Sequence, residues 1–122
     1  MNWRREADRI AADARGRRGE DEAALFLQSL GFEILARRVK TPRGEVDLVA
    51  RAPGITVFAE VKWRASAGNW ADAIDQRRLT RVARAAEVLA ERFMMPGDDM
   101  RIDVIMLAPG HDPYHIANAW MP

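Results

Sequence analysis

The sequence predicts an α/β domain in the order helix, three strands, helix, two strands. Three observations carry that expectation. Residues 3–30 and 71–93 are rich in Ala, Leu, Glu and Arg, lack proline and set apolar residues at helical spacing. Between them, and again after the second, lie short runs rich in Val, Ile and Phe, separated by turns built on proline and glycine. A length of 122 residues makes one domain, residues 1–122, able to bury roughly two-thirds of the surface its unfolded chain exposes.

The first helix is firmest from Glu20 onward. Gly16 and Gly19 weaken what precedes it, leaving two arrangements: two helices, or an N-terminal helical arm (residues 1–15) joined to one helix. Ala24, Leu27 and Leu30 line its apolar side, and Gly31 is placed to cap its end. Glu20 lies one turn before Ala24, so its carboxylate falls on the core-facing side; Asp21 and Glu22 rotate away. A strand over Phe32–Val39 follows, with Phe32, Ile34 and Leu35 toward the core, and Thr41-Pro42-Arg43-Gly44 reads as a turn. Strands from Gly44 and from Ile55 are divided by Ala52-Pro53-Gly54, and Trp63–Trp70 is a loop. In the second helix Leu79, Val82, Ala86, Leu89 and Phe93 form the core stripe, with Arg77, Arg81 and Arg84 on the opposite, solvated face. Arg101–Leu107 is a strand, Pro109–Pro113 a turn, and His115–Trp120 a last short strand.

Charge is placed inside the apolar runs of the central hairpin. Asp47 sits between Val46 and Leu48, and Glu60 and Lys62 flank Val61. Strand side chains alternate, so Glu60 and Lys62 share a face with Phe58, and Asp47 shares one with Glu45 and Val49. Adjacent antiparallel strands bring Asp47, Glu60 and Lys62 to one face. Such burial costs several kcal/mol unless the charges are paired or hold a metal. The bland alternative is a salt bridge of Lys62 with Glu60 or Asp47.

The bulk properties exclude several classes. There is no cysteine, so no disulfide framework or thiolate metal site. No apolar run reaches the roughly 20 residues of a membrane span, and the charged N-terminus lacks a signal-peptide core, which points to the cytoplasm and away from a membrane partner. Net charge is +1, so composition alone does not declare a nucleic-acid binder. Arg37, Arg38, Lys40 and Arg43 nevertheless form a basic run leading into the hairpin. His111 and His115 have a spacing that suits no standard metal site and read as surface histidines. Asp103 reads as a hydrogen-bonding partner of Arg101 or of a backbone group. Trp63 and Trp70 bracket the loop after Lys62, where base stacking and core packing are both open to them.

These residues carry a resemblance. An Asp in one strand, Glu-x-Lys in the next and an upstream helical Glu resemble the PD-(D/E)xK nuclease superfamily, which includes restriction endonucleases and archaeal Holliday-junction resolvases. More closely, the chain resembles the YraN family of small bacterial proteins. The matching pieces are Gly16-Arg17-Arg18-Gly19-Glu20, Gly31-Phe32-Glu33-Ile34-Leu35, Gly44-Glu45-Val46-Asp47-Leu48-Val49-Ala50, Phe58-Ala59-Glu60-Val61-Lys62, Arg101-Ile102-Asp103-Val104 and His115-Ile116-Ala117-Asn118-Ala119-Trp120. They span residues 16–120. Val46 stands where the superfamily's name has proline.

The resemblance implies a restriction-endonuclease-like fold, a central mixed five-stranded sheet flanked by helices, and an endonuclease acting on DNA at branched or flapped structures. It implies Mg²⁺ or Mn²⁺ held by Asp47, Glu60 and the Val61 carbonyl, with Glu20 binding or orienting a second ion. A divalent cation offsets charge on the phosphate and lowers the pKa of the attacking water. Lys62 would orient that water and stabilise the transition state. Arg37, Arg38, Lys40, Arg43, Arg64 and Gln76 are the candidate nucleic-acid contacts. A homodimer would suit cleavage of both strands, though no dimer stripe stands out. The competing reading is a module of the same fold that holds nucleic acid or a protein without cutting.

Overall fold

The computed structural model of the chain describes residues 3–65 and 74–122. The predicted order holds: α1 (Trp3–Ser29), β1 (Glu33–Thr41), β2 (Gly44–Ala52), β3 (Ile55–Trp63), α2 (Gln76–Phe93), β4 (Asp99–Leu107) and β5 (Tyr114–Ile116). The strands form one mixed sheet in the order β1-β2-β3-β4-β5. Only β3 and β4 run parallel, because the connection between them crosses over through α2; the other neighbours are antiparallel. No described helix is long and apolar enough to cross a membrane.

Each sheet face is covered by one helix, and strand alternation sorts the apolar side chains between them. On one face Ala23, Ala24 and Leu27 of α1 pack on Leu48, Ala50, Val57, Ala59, Ile105 and Leu107. On the other, Leu79, Val82, Ala86 and Leu89 of α2 pack on Val49, Phe58, Ile102, Val104 and Met106. Helix α1 is continuous through Gly16 and Gly19, so the two-helix alternative does not apply. It ends as predicted at Gly31 (φ 96°), where the Phe32 N–H reaches the Leu27 carbonyl and the Gly31 N–H the Gln28 carbonyl. Leu30, expected in the apolar side, is exposed because it lies in the cap, past the last turn that touches the sheet.

Other boundaries differ from expectation; β1 runs Glu33–Thr41 rather than Phe32–Val39, and β5 begins at Tyr114 rather than His115. Helix α2 begins at Gln76, not Ala71, because Asp75 is its N-cap and accepts from the backbone N–H groups of Arg77 (3.0 Å) and Arg78 (3.4 Å). Residues 66–73, including Trp70, lie outside the described residues. Strand β4 starts earlier, at Asp99, and β5 stops at Ile116, because Asn118 takes a positive φ (54°) and turns the chain. Trp120 then returns over α2, its Nε1 donating to Thr80 Oγ1.

Candidate active site

The site begins where β2 and β3 stop pairing. Their ladder runs from Ala52↔Ile55 to Leu48↔Ala59. Beyond it the Val61 N–H donates to Asp47 Oδ2 at 2.8 Å instead of to a strand carbonyl. The carboxylate thus satisfies a backbone donor that the parting strands would leave orphaned. On its other side β3 stays paired with β4 as far as Trp63↔Leu107, so the opening lies between β2 and β3.

A cavity of about 780 Å³ sits over this opening. Asp47 and Glu45 of β2 and Glu60 of β3 form one wall, and Arg77, Arg78 and Arg81 of α2 form the other. Of the predicted convergence of Asp47, Glu60 and Lys62, the meeting of Asp47 and Glu60 is therefore present, while Lys62 does not line the cavity. The arginines are where reading the sequence fell short. Arg77 and Arg81 are exposed, as expected, but the surface they occupy is the cavity wall, and Arg78 joins them there although no sequence pattern marks it. The available signal was their spacing of four, which puts Arg77 and Arg81 one above the other immediately after a capping Asp.

Glu60 is 4% exposed. Its Oε1 pairs with the Arg78 guanidinium, while Oε2 is buried without a partner among the described residues. Asp47 is pushed up to about pKa 6. Burial is the main cause, the charges of Glu60, Glu20 and Glu45 add to it, and the Val61 hydrogen bond opposes it. Lys62 is partly buried and, by alternation, shares Glu60's face.

Glu20 stands apart from this pair. It projects from α1 toward β1, where Arg38 Nε donates to both of its oxygens at 2.9 and 2.7 Å, and Arg37 pairs with Asp21 beside it. Arg38 adopts a left-handed φ of 49°, an uncommon backbone state for a non-glycine residue. Its neighbours pair Arg37↔Leu48 and Val39↔Val46, so Arg38 stands across from Asp47 in the sheet. Glu20 therefore acts on Asp47 through charge. Among the described residues no three carboxylates or histidines are close enough to hold a metal ion together. Two carboxylates suffice for Mg²⁺, which keeps several waters and takes one or two protein oxygens. The Asp47 carboxylate and the unpartnered Glu60 Oε2 fit that requirement.

The other predicted residues fall around this centre. Lys40, Arg43 and Arg64 are exposed. Gln76 is committed elsewhere: its Nε2 donates to the Ala119 carbonyl and its Oε1 accepts from the Met121 N–H, which pins the C-terminal segment to α2. Trp63 is 37% exposed at the end of β3, the central strand, beside Gly19 of α1. Asp103 is structural, as expected. It is fully buried, gripped by both Arg101 nitrogens, the Asn118 N–H and His115. His115 is consequently not a surface residue: it lies 2.7 Å from Asp103 and edge-on to Phe26.

With this geometry in place, comparison with known proteins adds kinship. The family model described as "Uncharacterised protein family UPF0102" matches residues 19–107, a span that takes in Glu20, Asp47, Glu60, Lys62 and the α2 arginines. The chain is 55% identical over 114 residues to a UPF0102 protein of Erythrobacter litoralis, covering 93% of this chain and 98% of that one. It is 53% identical to one from Sphingopyxis alaskensis, with the same coverage. A third, from Rhizorhabdus wittichii, is 47% identical over 92% of this chain and 95% of its own length.

Proposed function

This chain belongs to the UPF0102 (YraN) family, and we propose that it is a metal-dependent endonuclease of the PD-(D/E)xK type that hydrolyses DNA phosphodiester bonds in the cytoplasm. The observation that carries this reading is the facing of two strand carboxylates, the partly buried Asp47 and the buried Glu60, by three helix arginines across one cavity. The sheet supports it: three antiparallel strands, a helical crossover and a parallel fourth strand between two helices suit a restriction-endonuclease-like fold.

Asp47 and Glu60 would hold one Mg²⁺ or Mn²⁺, with the Val61 carbonyl as a third donor. The ion would supply Lewis-acid activation of water and charge neutralisation at the phosphate. Lys62, on Glu60's face, orients the attacking water and offsets charge developing on the phosphoryl oxygens. Arg77 and Arg81 hold the flanking phosphate. Glu20 adds to the negative charge around Asp47, which favours cation binding, and Arg38 holds the Glu20 carboxylate in place. Lys40, Arg43 and Arg64 lie outside the cavity and extend the contact along the backbone.

The test is a cleavage screen with Mg²⁺ and Mn²⁺ over single-stranded, duplex, flap and four-way DNA, with Asp47→Asn and Glu60→Gln as controls. Metal-dependent cutting that both substitutions abolish is the expected result. Binding of DNA with no cutting of any substrate would replace this reading with that of a non-cleaving nucleic-acid module.

A further inference from the structure

We propose that Arg78 is a displaceable counter-ion of the candidate metal site: it holds Glu60 in the metal-free protein and turns to the substrate phosphate once a divalent cation is bound. The inference rests on the metal-site reading above and extends it to a residue outside the predicted set.

The Arg78–Glu60 pair differs from the two arginine–carboxylate pairs that lock Asp98 and Asp103 into this fold. Arg101 grips Asp103 with two nitrogens on two oxygens, both at 2.8 Å, and Arg51 grips Asp98 the same way at 2.8 and 2.9 Å. Both are forks, the geometry in which a guanidinium satisfies a carboxylate fully. Arg78 engages only Oε1 of Glu60 and leaves the buried Oε2 bare. The pair is also lopsided in exposure. The Glu60 side chain is 5% exposed and the Arg78 side chain 62%. The carboxylate is fixed in the sheet, whereas the arginine reaches it from solvent and loses little by letting go.

The helix start lets the side chain move without the backbone. Asp75 caps the N–H groups of Arg77 and Arg78, so the α-carbon of Arg78 stays in place while its side chain swings. Charge balance gives the motion a direction. The cavity wall holds four carboxylates (Glu45, Asp47, Glu60, Asp75) and three arginines (Arg77, Arg78, Arg81), one net negative charge when all are ionised. A divalent cation reverses that to one net positive charge, repels Arg78 from Glu60 and leaves it beside Arg77 and Arg81. One phosphodiester restores neutrality. Metal and nucleic acid therefore bind with positive coupling, each favouring the arrangement of Arg78 that the other needs.

The experiment measures Mn²⁺ affinity by electron paramagnetic resonance, without DNA and with a phosphorothioate duplex that resists hydrolysis. Anisotropy gives the salt dependence of binding to the same duplex. Arg78→Gln should bind Mn²⁺ roughly five- to ten-fold more tightly than the parent without DNA, since the competing cation is gone. The slope of its metal-dependent DNA binding against log salt should fall by about one. Arg78→Lys, which keeps a charge, should lie between them in Mn²⁺ affinity. Arg84→Gln, on the same helix but paired with Glu87, should match the parent. Unchanged or weaker Mn²⁺ binding by Arg78→Gln, in a parent that does bind Mn²⁺, overturns the counter-ion role alone. A parent that binds no Mn²⁺ at millimolar concentration overturns the metal-site reading and this inference with it.

Discussion

Replacing Asp47 with Asn should stabilise the metal-free protein at neutral pH, and the structure sets the size of the effect. Asp47 ionises near pH 6 in the fold, above the 3.8 of a free aspartate, mainly because it is buried. The sign follows from linkage. A carboxyl whose pKa is raised by folding binds its proton more tightly in the folded state. Its contribution is therefore most favourable below pH 3.8 and is lost as pH rises through 6. Holding it ionised at pH 8 costs the fold on the order of 3 kcal/mol at most, less after local relaxation. Asparagine keeps an acceptor for the Val61 N–H but gives up the charge assistance of that bond, which returns about 1 kcal/mol of the gain. The net expectation is a stabilisation of about 1–2 kcal/mol at pH 8, or a rise in Tm of roughly 3–10 °C, shrinking to nothing near pH 4. Thermal melts of both proteins across this range, with chelator, measure it. Repeating them with Mn²⁺ at about a hundred times its Kd should stabilise the parent by about 2.7 kcal/mol and leave the variant unmoved. A variant that loses roughly 3 kcal/mol at pH 8, beside a parent indifferent to metal, would show Asp47 to be a structural ion-pair partner and refute the reasoning.

Three further outcomes are expected. Glu60→Gln should abolish cleavage while preserving or tightening DNA binding by anisotropy, because it removes a negative charge beside the phosphate. Asp103→Ala should cost about 3 kcal/mol in denaturant unfolding without changing activity per folded molecule, since it empties a fully buried site and leaves the partly buried Arg101, His115 and the Asn118 N–H without their acceptor; burial raises the pKa of Asp103, but the bonds from His115, Arg101 and Asn118 outweigh it and hold it below the usual range, so the stability it gives is complete above that range and lost as pH falls. Removing Lys40 and Arg43 together should lower the salt slope of DNA binding by about two, whereas adding Arg37→Ala and Arg38→Ala should change it less, because Asp21 and Glu20 already hold those arginines.

Periodicity made the fold legible. Period-two runs broken by Pro53-Gly54 and Pro42-Arg43-Gly44 located the hairpins, and the stripe from Leu79 to Leu89 located α2. Errors collected where a single side chain overrides the pattern: Asp75 starting α2 late, and Asn118 ending β5 early. In the site, alternation was enough to bring Asp47 to Glu60. It could not show that β2 and β3 part at that point, because the parting depends on one side chain replacing a ladder bond. The basic run from Arg37 was legible as charge, but its acids come from α1, 16 and 18 residues earlier, and local sequence does not give long-range partners. The same holds for Arg78, whose partner Glu60 lies on a strand before the crossover.

Burial alone does not separate the proposed metal-binding carboxylates from the structural ones in this protein, but satisfaction does. Asp98 accepts from two Arg51 nitrogens, Thr56 Oγ1 and the Met95 N–H, and is held well below the usual carboxylate range, the Arg51 bonds being the main cause. Asp103 has four partners and is also shifted down. In both, folding supplies enough donors to make the ionised form welcome, so each can be explained by stability alone. Asp47 and Glu60 are the opposite case. One accepts a single backbone N–H and is shifted up, the other keeps a bare buried oxygen, and they face each other's charge in one cavity. A chain able to build two saturated carboxylate sites elsewhere in the same fold has left these two short of positive charge. The deficit is what a divalent cation, absent from the twenty side chains, would fill.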